Sequence, residues 1–210
     1  MSEPNPVVFL LDDDRAVLAG LGRLLRLRGF TVQSFTSAES FLRDHDPQLP
    51  GCLVCDVRMP GMTGLELQGA LVQRGCPRAI VFITGFGDVR VSVQAMRAGA
   101  VTFLPKPVSR TELLGAVTEA IAKDLASRRE WHEQTQLSQR LATLTAREKQ
   151  VLELVAQGRL NKQIAAELGA AEKTIKVHRG RLMEKMQVKS VAGLVSLLVH
   201  RRGAGSAPLS

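Results

Sequence analysis

Residues 9–15 read FLLDDDR: an apolar run ends and three aspartates follow without a break. The run begins at residue 7, so 7–11 (VVFLL) has the length and unbroken hydrophobicity of a strand buried on both faces. Three like charges at the mouth of such a strand repel one another. A partly buried carboxylate without a counter-charge is driven toward its protonated form. The stretch therefore calls for a positive partner at that edge.

Outward from this strand, four more apolar runs follow at 31–35 (TVQSF), 52–57 (CLVCDV), 79–84 (AIVFIT) and 101–104 (VTFL). Helix-period segments occupy 15–29, 37–44, 64–75 and 88–99, and a fifth begins near Ser109. This alternation predicts an α/β, doubly wound, five-stranded parallel sheet. From Ser109 the helical pattern continues without proline, and without glycine after Gly115, turning polar over 126–140. It reads as the last helix of the sheet domain extended into a long helical linker. Four short helical segments follow at 145–157, 161–168, 172–187 and 190–200. Over 158–187 the pattern is helix, glycine-containing turn, helix, so the second domain is a small all-α helix-turn-helix unit. The first domain is placed at 7–122, the linker at 123–140 and the second domain at 141–206. The tail RRGAGSAPLS is expected to be disordered.

Composition agrees with two small domains. The 210 residues are 45% hydrophobic and 23% charged, and no apolar run approaches the roughly 18 residues of a membrane span. The start, MSEPNPVVFLL, lacks a basic flank and a small-residue cleavage site, so a cytoplasmic protein without membrane contact is expected. The three cysteines make no disulfide framework, and Cys52 and Cys55, three apart on a strand, should point to opposite faces. Histidines at 45, 132, 178 and 200 form no ligand cluster. Charge is divided unevenly: residues 1–125 hold 13 Lys and Arg against 13 Asp and Glu, and residues 126–210 hold 15 against 7. The whole excess of +8 lies in the helical part, which suggests a polyanion such as nucleic acid as its partner.

In an open parallel sheet the ligand crevice lies beyond the carboxyl ends of the strands. Asp12 and Asp13, Asp56, Thr84 and Lys106 all fall at those ends. Singly, each has a bland reading as a turn or capping residue. Together, three carboxylates supply hard oxygen ligands for a small divalent cation such as Mg2+. A carboxylate can also be a nucleophile toward phosphorus, with a cation, a lysine and a hydroxyl neutralising the phosphoryl group. Asp14 is expected to face away and begin the first helix.

In the second domain, Ile175, Leu182 and Met186 share one stripe of the 172–187 helix and should be core. Lys173, Val177 and Gly180 fall opposite, flanked by Lys176 and Arg181, so Lys173, Thr174, Lys176, Val177 and Arg181 are candidate DNA contacts. Arg179 lies nearer the apolar stripe, with its head reaching for a phosphate. Asn161 and Lys162 open the preceding helix and are candidate phosphate contacts, although Asn161 also suits an N-cap. Ala171 lacks the side chain of a good cap, and Gly180 either permits close approach to DNA or is merely tolerated.

VVFLLDDDRAV, CLVCDVRMPGMTGLEL, VFITGFGDV and AGAVTFLPKPV resemble the receiver domain of two-component response regulators, which is flavodoxin-like. LTAREKQVLELVAQGRLNKQIAAELGAAEKTIKVHRGRLMEKM is similar to the LuxR-type helix-turn-helix, and together the two parts resemble the FixJ/NarL class. The resemblance implies Asp56 as phosphoacceptor, and Mg2+ or Mn2+ held by Asp13, Asp56 and the backbone carbonyl of Arg58, with Asp12 completing the pocket through water. It implies Thr84 and Lys106 on the phosphoryl oxygens, Phe103 as a switch aromatic, and a cis Lys106–Pro107 bond. The implied partners are a sensor histidine kinase, double-stranded promoter DNA, RNA polymerase and, on phosphorylation, a second copy of the chain. The implied function is phosphorylation-controlled transcription regulation, as an activator, with no enzymatic turnover beyond self-directed phosphoryl transfer and dephosphorylation. Two other readings compete. One is a haloacid-dehalogenase-like phosphatase with Asp12 as nucleophile and Asp14 as acid/base. The other is a constitutive DNA-binding protein with an inert receiver.

Overall fold

The computed structural model describes residues 5–85 and 89–203, in two compact units that divide between Arg129 and Glu130. In the first unit, β1 (Val7–Leu11), β2 (Thr31–Phe35), β3 (Gly51–Asp56), β4 (Ala79–Thr84) and β5 (Thr102–Pro105) form one parallel sheet in the order β2-β1-β3-β4-β5. Parallel neighbours need long crossovers. These contain α1 (Arg15–Leu27), α2 (Ala38–Asp44), α3 (Gly64–Gln73) and α4 (Val89–Arg97), and α5 (Arg110–Ala142) follows the last strand. The elements lie where the apolar periodicity places them; position 88 of the expected helix at 88–99 and residues 204–210 of the tail fall outside the described residues.

Side chains alternate between two cores, as a period of two requires. Phe9, Leu53, Cys55 and Phe82 pack on one side of the sheet with Phe41 and Leu67, whereas Val8, Cys52, Val54 and Val81 pack on the other with Leu25 and Val117. Cys52 and Cys55 thus lie on opposite faces and form no joint site, and burial pushes the Cys52 thiol up to about 12.

The order β2-β1-β3 reverses direction at β1, so the crevice of this doubly wound sheet opens between the ends of β1 and β3. Two glycines let the backbone close tightly around that pair. Gly64, which opens α3, has no room for a side chain: a Cβ there would stand 2.5 Å from the Asp56 carbonyl oxygen and 3.0 Å from both Cys55 Sγ and the Phe82 ring. Gly51, which opens β3, has φ of +144° and lies against Val7 of β1.

The sequence puts the start of the linker at 123, but the first unit runs to Arg129, and side-chain bonds from Asp124 and Arg128 hold α5 on it. Asp124 Oδ2 accepts from the Gly51 N–H (2.9 Å) and from Arg128 Nε (2.6 Å). Arg128 also donates to the carbonyls of Pro47 and Gln48, while Arg78 donates to those of Asp46 and Leu49. Four successive carbonyls of one loop are thereby satisfied by two arginines, which the hydrophobic pattern could not reveal.

The second unit comprises the end of α5 with α6 (Ala146–Ala156), α7 (Asn161–Glu167), α8 (Glu172–Lys185) and α9 (Val191–Gly203). Leu141, Val151, Ile164, Ile175, Leu182 and Leu194 lie in its core. Helix α9 runs to Gly203, so the disorder expected from Arg201 does not begin there. A reciprocal cap starts α6: Thr145 Oγ1 accepts from the Glu148 N–H (3.3 Å) and Glu148 Oε2 from the Thr145 N–H (2.9 Å). Glu148 is only 2% exposed, and Lys185 Nζ meets its Oε2 at 2.7 Å.

The Lys185 hydrogen bond, followed by that from the Thr145 backbone, holds the Glu148 carboxyl below its ordinary 4.5. A carboxyl depressed on folding stabilises the fold above its unfolded pKa, and this stabilisation is lost as pH falls through the folded value. Glu148→Gln is therefore expected to flatten the acid limb of the second unit's stability. The check is melting temperature against pH over roughly pH 3 to 6; parallel limbs for the variant and wild type would contradict it.

Candidate functional site

Asp12 and Asp13 follow β1 directly, Asp56 ends β3, Thr84 ends β4, and Lys106 comes one residue after β5. Parallel pairing of four neighbouring strands brings these ends to one edge of the sheet. There, one ligand oxygen each from Asp12, Asp13 and Asp56 lies within 4.8 Å of the others. Asp12 is 4% exposed and Asp56 9%, whereas Asp13 is open to solvent.

The three neighbouring aspartates have different surroundings. Asp14 caps α1, its Oδ1 accepting from the Ala16 N–H at 2.7 Å. Asp12 Oδ1 accepts from the Asp14 N–H (2.9 Å) and its Oδ2 from Lys106 Nζ (2.7 Å). Asp13 has no hydrogen bond or ion pair among the described residues. The positive partner that the sequence called for is thus supplied in part from within, because Lys106 Nζ also lies 3.3 Å from Asp56 Oδ2.

The Lys106 backbone N–H donates to the Thr84 carbonyl at 2.7 Å, tying the residue after β5 to the end of β4, and the Lys106–Pro107 bond is cis. Burial raises the Asp56 pKa, with Lys106 opposing and Asp12 adding to the rise. Burial works against the Lys106 ammonium, but the Asp12 hydrogen bond and the charges of Asp56 and Asp12 outweigh it and raise the pKa. Phe103 is half-buried against Phe82, with ring centroids 5.9 Å apart.

One ammonium against three carboxylates leaves the pocket short of positive charge. The donor set fits a hard divalent cation: Asp13 and Asp56 offer carboxylate oxygens, and the Arg58 carbonyl accepts no hydrogen bond among the described residues. Asp12 already holds two protein donors, which suits contact through water. Gly64 belongs to this site although sequence reasoning did not single it out; its signal was the glycine after Thr63 in MPGMTG.

In the second unit, Ile175, Leu182 and Met186 are buried, as their stripe requires. Lys173, Thr174, Lys176, Val177 (48% exposed) and Arg181 face solvent on α8, and Lys162 does so on α7. Two candidates differ. Arg179 and Asn161 are half-buried and bonded to each other, Nη1 to Oδ1 at 2.8 Å. Asn161 is also not the cap of α7: that place belongs to Leu160, whose N–H donates to Gln163 Oε1 at 2.9 Å. Ala171 caps α8 without a side-chain bond, and a Cβ at Gly180 would meet nothing within 4 Å.

Part of the unit's positive charge serves the fold, since Arg140, Arg147 and Lys185 donate to the carbonyls of Met186, Leu168 and Thr143. Lys149, Arg159 and Lys189 are exposed, with no partner among the described residues, and the sequence pattern did not distinguish them from the tied ones.

Residues 8–118 match the family model described as response regulator receiver domain, and residues 142–198 that of bacterial regulatory proteins, luxR family. The chain is 44% identical over 195 residues to response regulator protein TodT of Pseudomonas putida, covering 93% of this chain and 86% of that protein. It is 40% identical over 208 residues to transcriptional regulatory protein FixJ of Azorhizobium caulinodans, covering 99% and 97%. The solved structure of response regulator StyR superimposes with a TM-score of 0.86 at 48% identity, covering 93% of this chain and 98% of that one.

This chain is a two-component response regulator of the LuxR/FixJ family.

The first unit is its receiver and the second its DNA-binding domain, so the protein is a DNA-binding response regulator. Receiver domains take a histidine kinase as partner and hold Mg2+ in their acidic pocket. The family membership replaces the phosphatase reading, and Asp14, which that reading takes as acid/base, caps α1 through Oδ1. Among the described residues no helix is long and apolar enough to cross a membrane.

Proposed function

We propose that Asp56 is the phosphoacceptor of this receiver and that its phosphorylation controls DNA binding by the second domain. The observation that carries this is the meeting of Asp12, Asp13 and Asp56 with Lys106 at the carboxyl edge of the sheet. An Asp56 carboxylate oxygen attacks the phosphorus of a phosphohistidine on a sensor kinase. The P–N bond breaks, and the leaving imidazole nitrogen takes a proton. Later hydrolysis by water returns free phosphate and the carboxylate, so no other substrate is turned over.

Asp13, Asp56 and the Arg58 carbonyl would hold Mg2+ or Mn2+, with Asp12 contacting it through water. The cation supplies charge neutralisation as the phosphoryl group transfers. Lys106 pairs with a phosphoryl oxygen, and the Thr84 hydroxyl donates to another. Phosphorylation then biases Thr84 and Phe103 toward one arrangement, a population shift that favours a homodimer. Two copies of α8 read two half-sites of promoter DNA, and the bound dimer activates transcription by contact with RNA polymerase. We place the protein in the cytoplasm.

The wild-type chain, given a small phosphodonor and Mg2+, should acquire one acid-stable, base-labile phosphoryl group, and chelation should abolish its incorporation. Phosphorylation should in turn tighten binding to promoter DNA. Labelling that survives chelation would remove the cation from the mechanism. DNA affinity indifferent to the label would leave the receiver inert.

A further inference from the structure

Asn161 and Arg179 sit on different helices of the DNA-binding motif, 18 residues apart, and share one charge-assisted hydrogen bond of 2.8 Å. Exposed cations flank each of them: Arg159 and Lys162 beside Asn161, Lys176 and Arg181 beside Arg179. The bond also accounts for a local irregularity. Asparagine is among the best N-caps, and Asn161 stands one position from that place, yet Leu160 occupies it with no side-chain cap. Asn161 Oδ1 serves Arg179 instead.

We propose that Asn161 and Arg179 are positioning residues: they hold α7 and α8 in register, and this register, not contact with DNA by either side chain, is their contribution to sequence specificity. The proposal rests on the reading of Lys162 as a phosphate contact and of Lys176 and Val177 as base contacts. Phosphate contacts fix where a protein sits on the duplex, and base contacts specify. A bond from the residue beside Lys162 to the residue between Lys176 and Arg181 sets the distance between these two groups of contacts. Without it, Lys162 still grips the backbone while α8 lies displaced in the groove. The buried contact of Ile164 with the cluster of Ile175 and Leu182 keeps the two helices packed.

The test uses the full chain, with a duplex that the phosphorylated wild type has selected from a randomised pool and a scrambled duplex of equal length. Fluorescence anisotropy over a range of salt gives affinity and salt slope for both. Asn161→Ala should leave both slopes and the scrambled affinity unchanged. It should lower the selected-to-scrambled affinity ratio about tenfold, the effect of one misread base pair. Arg179→Ala should lower the ratio similarly, and the double variant should lose no more than either single one.

A direct phosphate contact gives a different result: Arg179→Ala lowers the slope by about one on both duplexes, with or without Asn161→Ala, and overturns the proposal. So does an unchanged ratio for Asn161→Ala, or an equal loss on both duplexes with a lowered melting temperature, the mark of simple destabilisation. Should the wild type select no duplex, or Lys176→Ala leave the ratio intact, the contact reading itself fails and the proposal falls with it.

Discussion

Asp56→Asn is expected to abolish phosphoryl incorporation and with it every change in DNA affinity that the phosphodonor produces. An amide oxygen is a poor nucleophile toward phosphorus, and the neighbouring carboxylates do not replace it. Asp12 is engaged at both oxygens by Lys106 and the Asp14 N–H, and Asp13 faces solvent. The result is informative only if the variant folds, and the electrostatics favour folding. Burial raises the Asp56 pKa, so the proton is held more tightly in the folded state than in the unfolded one. A raised carboxyl lowers stability as pH climbs from its unfolded to its folded value, and that cost is fully present above both. Removing the charge should therefore hold or raise the melting temperature near neutral pH in the absence of divalent cation. Lys106 keeps its shorter contact to Asp12, at 2.7 Å. Full labelling of the variant, read by intact mass, would move the phosphoacceptor elsewhere; loss of labelling with a collapsed melting temperature would show only unfolding.

The sequence was most informative where local pattern and long-range consequence coincide. Unbroken apolar runs specify interior strands, and parallel order follows from the intervening helices, so the convergence of Asp12, Asp56, Thr84 and Lys106 is legible in the sequence alone. The unequal surroundings of the three aspartates were also partly legible, because Asp14 precedes a helical period and suits its cap. What stayed hidden depends on side-chain reach across elements. Nothing in the spacing of Asn161 and Arg179 says that they satisfy each other. The periodicity of α5 likewise gives no sign that Asp124 and Arg128 fasten it to the loop at 46–51. Counting charge shows a basic domain, but not that Arg140, Arg147 and Lys185 cap carbonyls while Lys149, Arg159 and Lys189 face solvent.

Gly51→Ala should be among the most damaging single-methyl changes available to the receiver. The new Cβ would fall 1.9 Å from the Val7 carbonyl oxygen and 2.7 Å from the Val7 nitrogen, both backbone atoms of the neighbouring strand. At φ of +144° the conformation itself is one that glycine alone adopts readily. Strained backbone costs about 1–3 kcal/mol and overpacking a further ~1–3 kcal/mol, so a loss of roughly 2–6 kcal/mol is expected, a large part of a domain's stability of about 5–15 kcal/mol. Relief by rotating the peptide would break the Gly51 N–H bond to Asp124, and relief by separation would pull β3 from β1, where Leu53 pairs with Phe9 and Cys55 with Leu11. Asp12 and Asp56 stand at the far ends of those same two strands. The damage should therefore reach phosphoryl acceptance as well as stability. Gly69→Ala is the control, because Gly69 lies in α3 with nothing within 4 Å of a Cβ. It should stabilise by about 0.5–1 kcal/mol on helix propensity alone. Urea unfolding of both variants, with hydrogen-exchange protection of the β1 and β3 amides, reads the contrast. Equal midpoints for Gly51→Ala and wild type would mean that the β1–β3 junction yields at little cost, and that the acidic edge it supports is far less rigidly built than these contacts require.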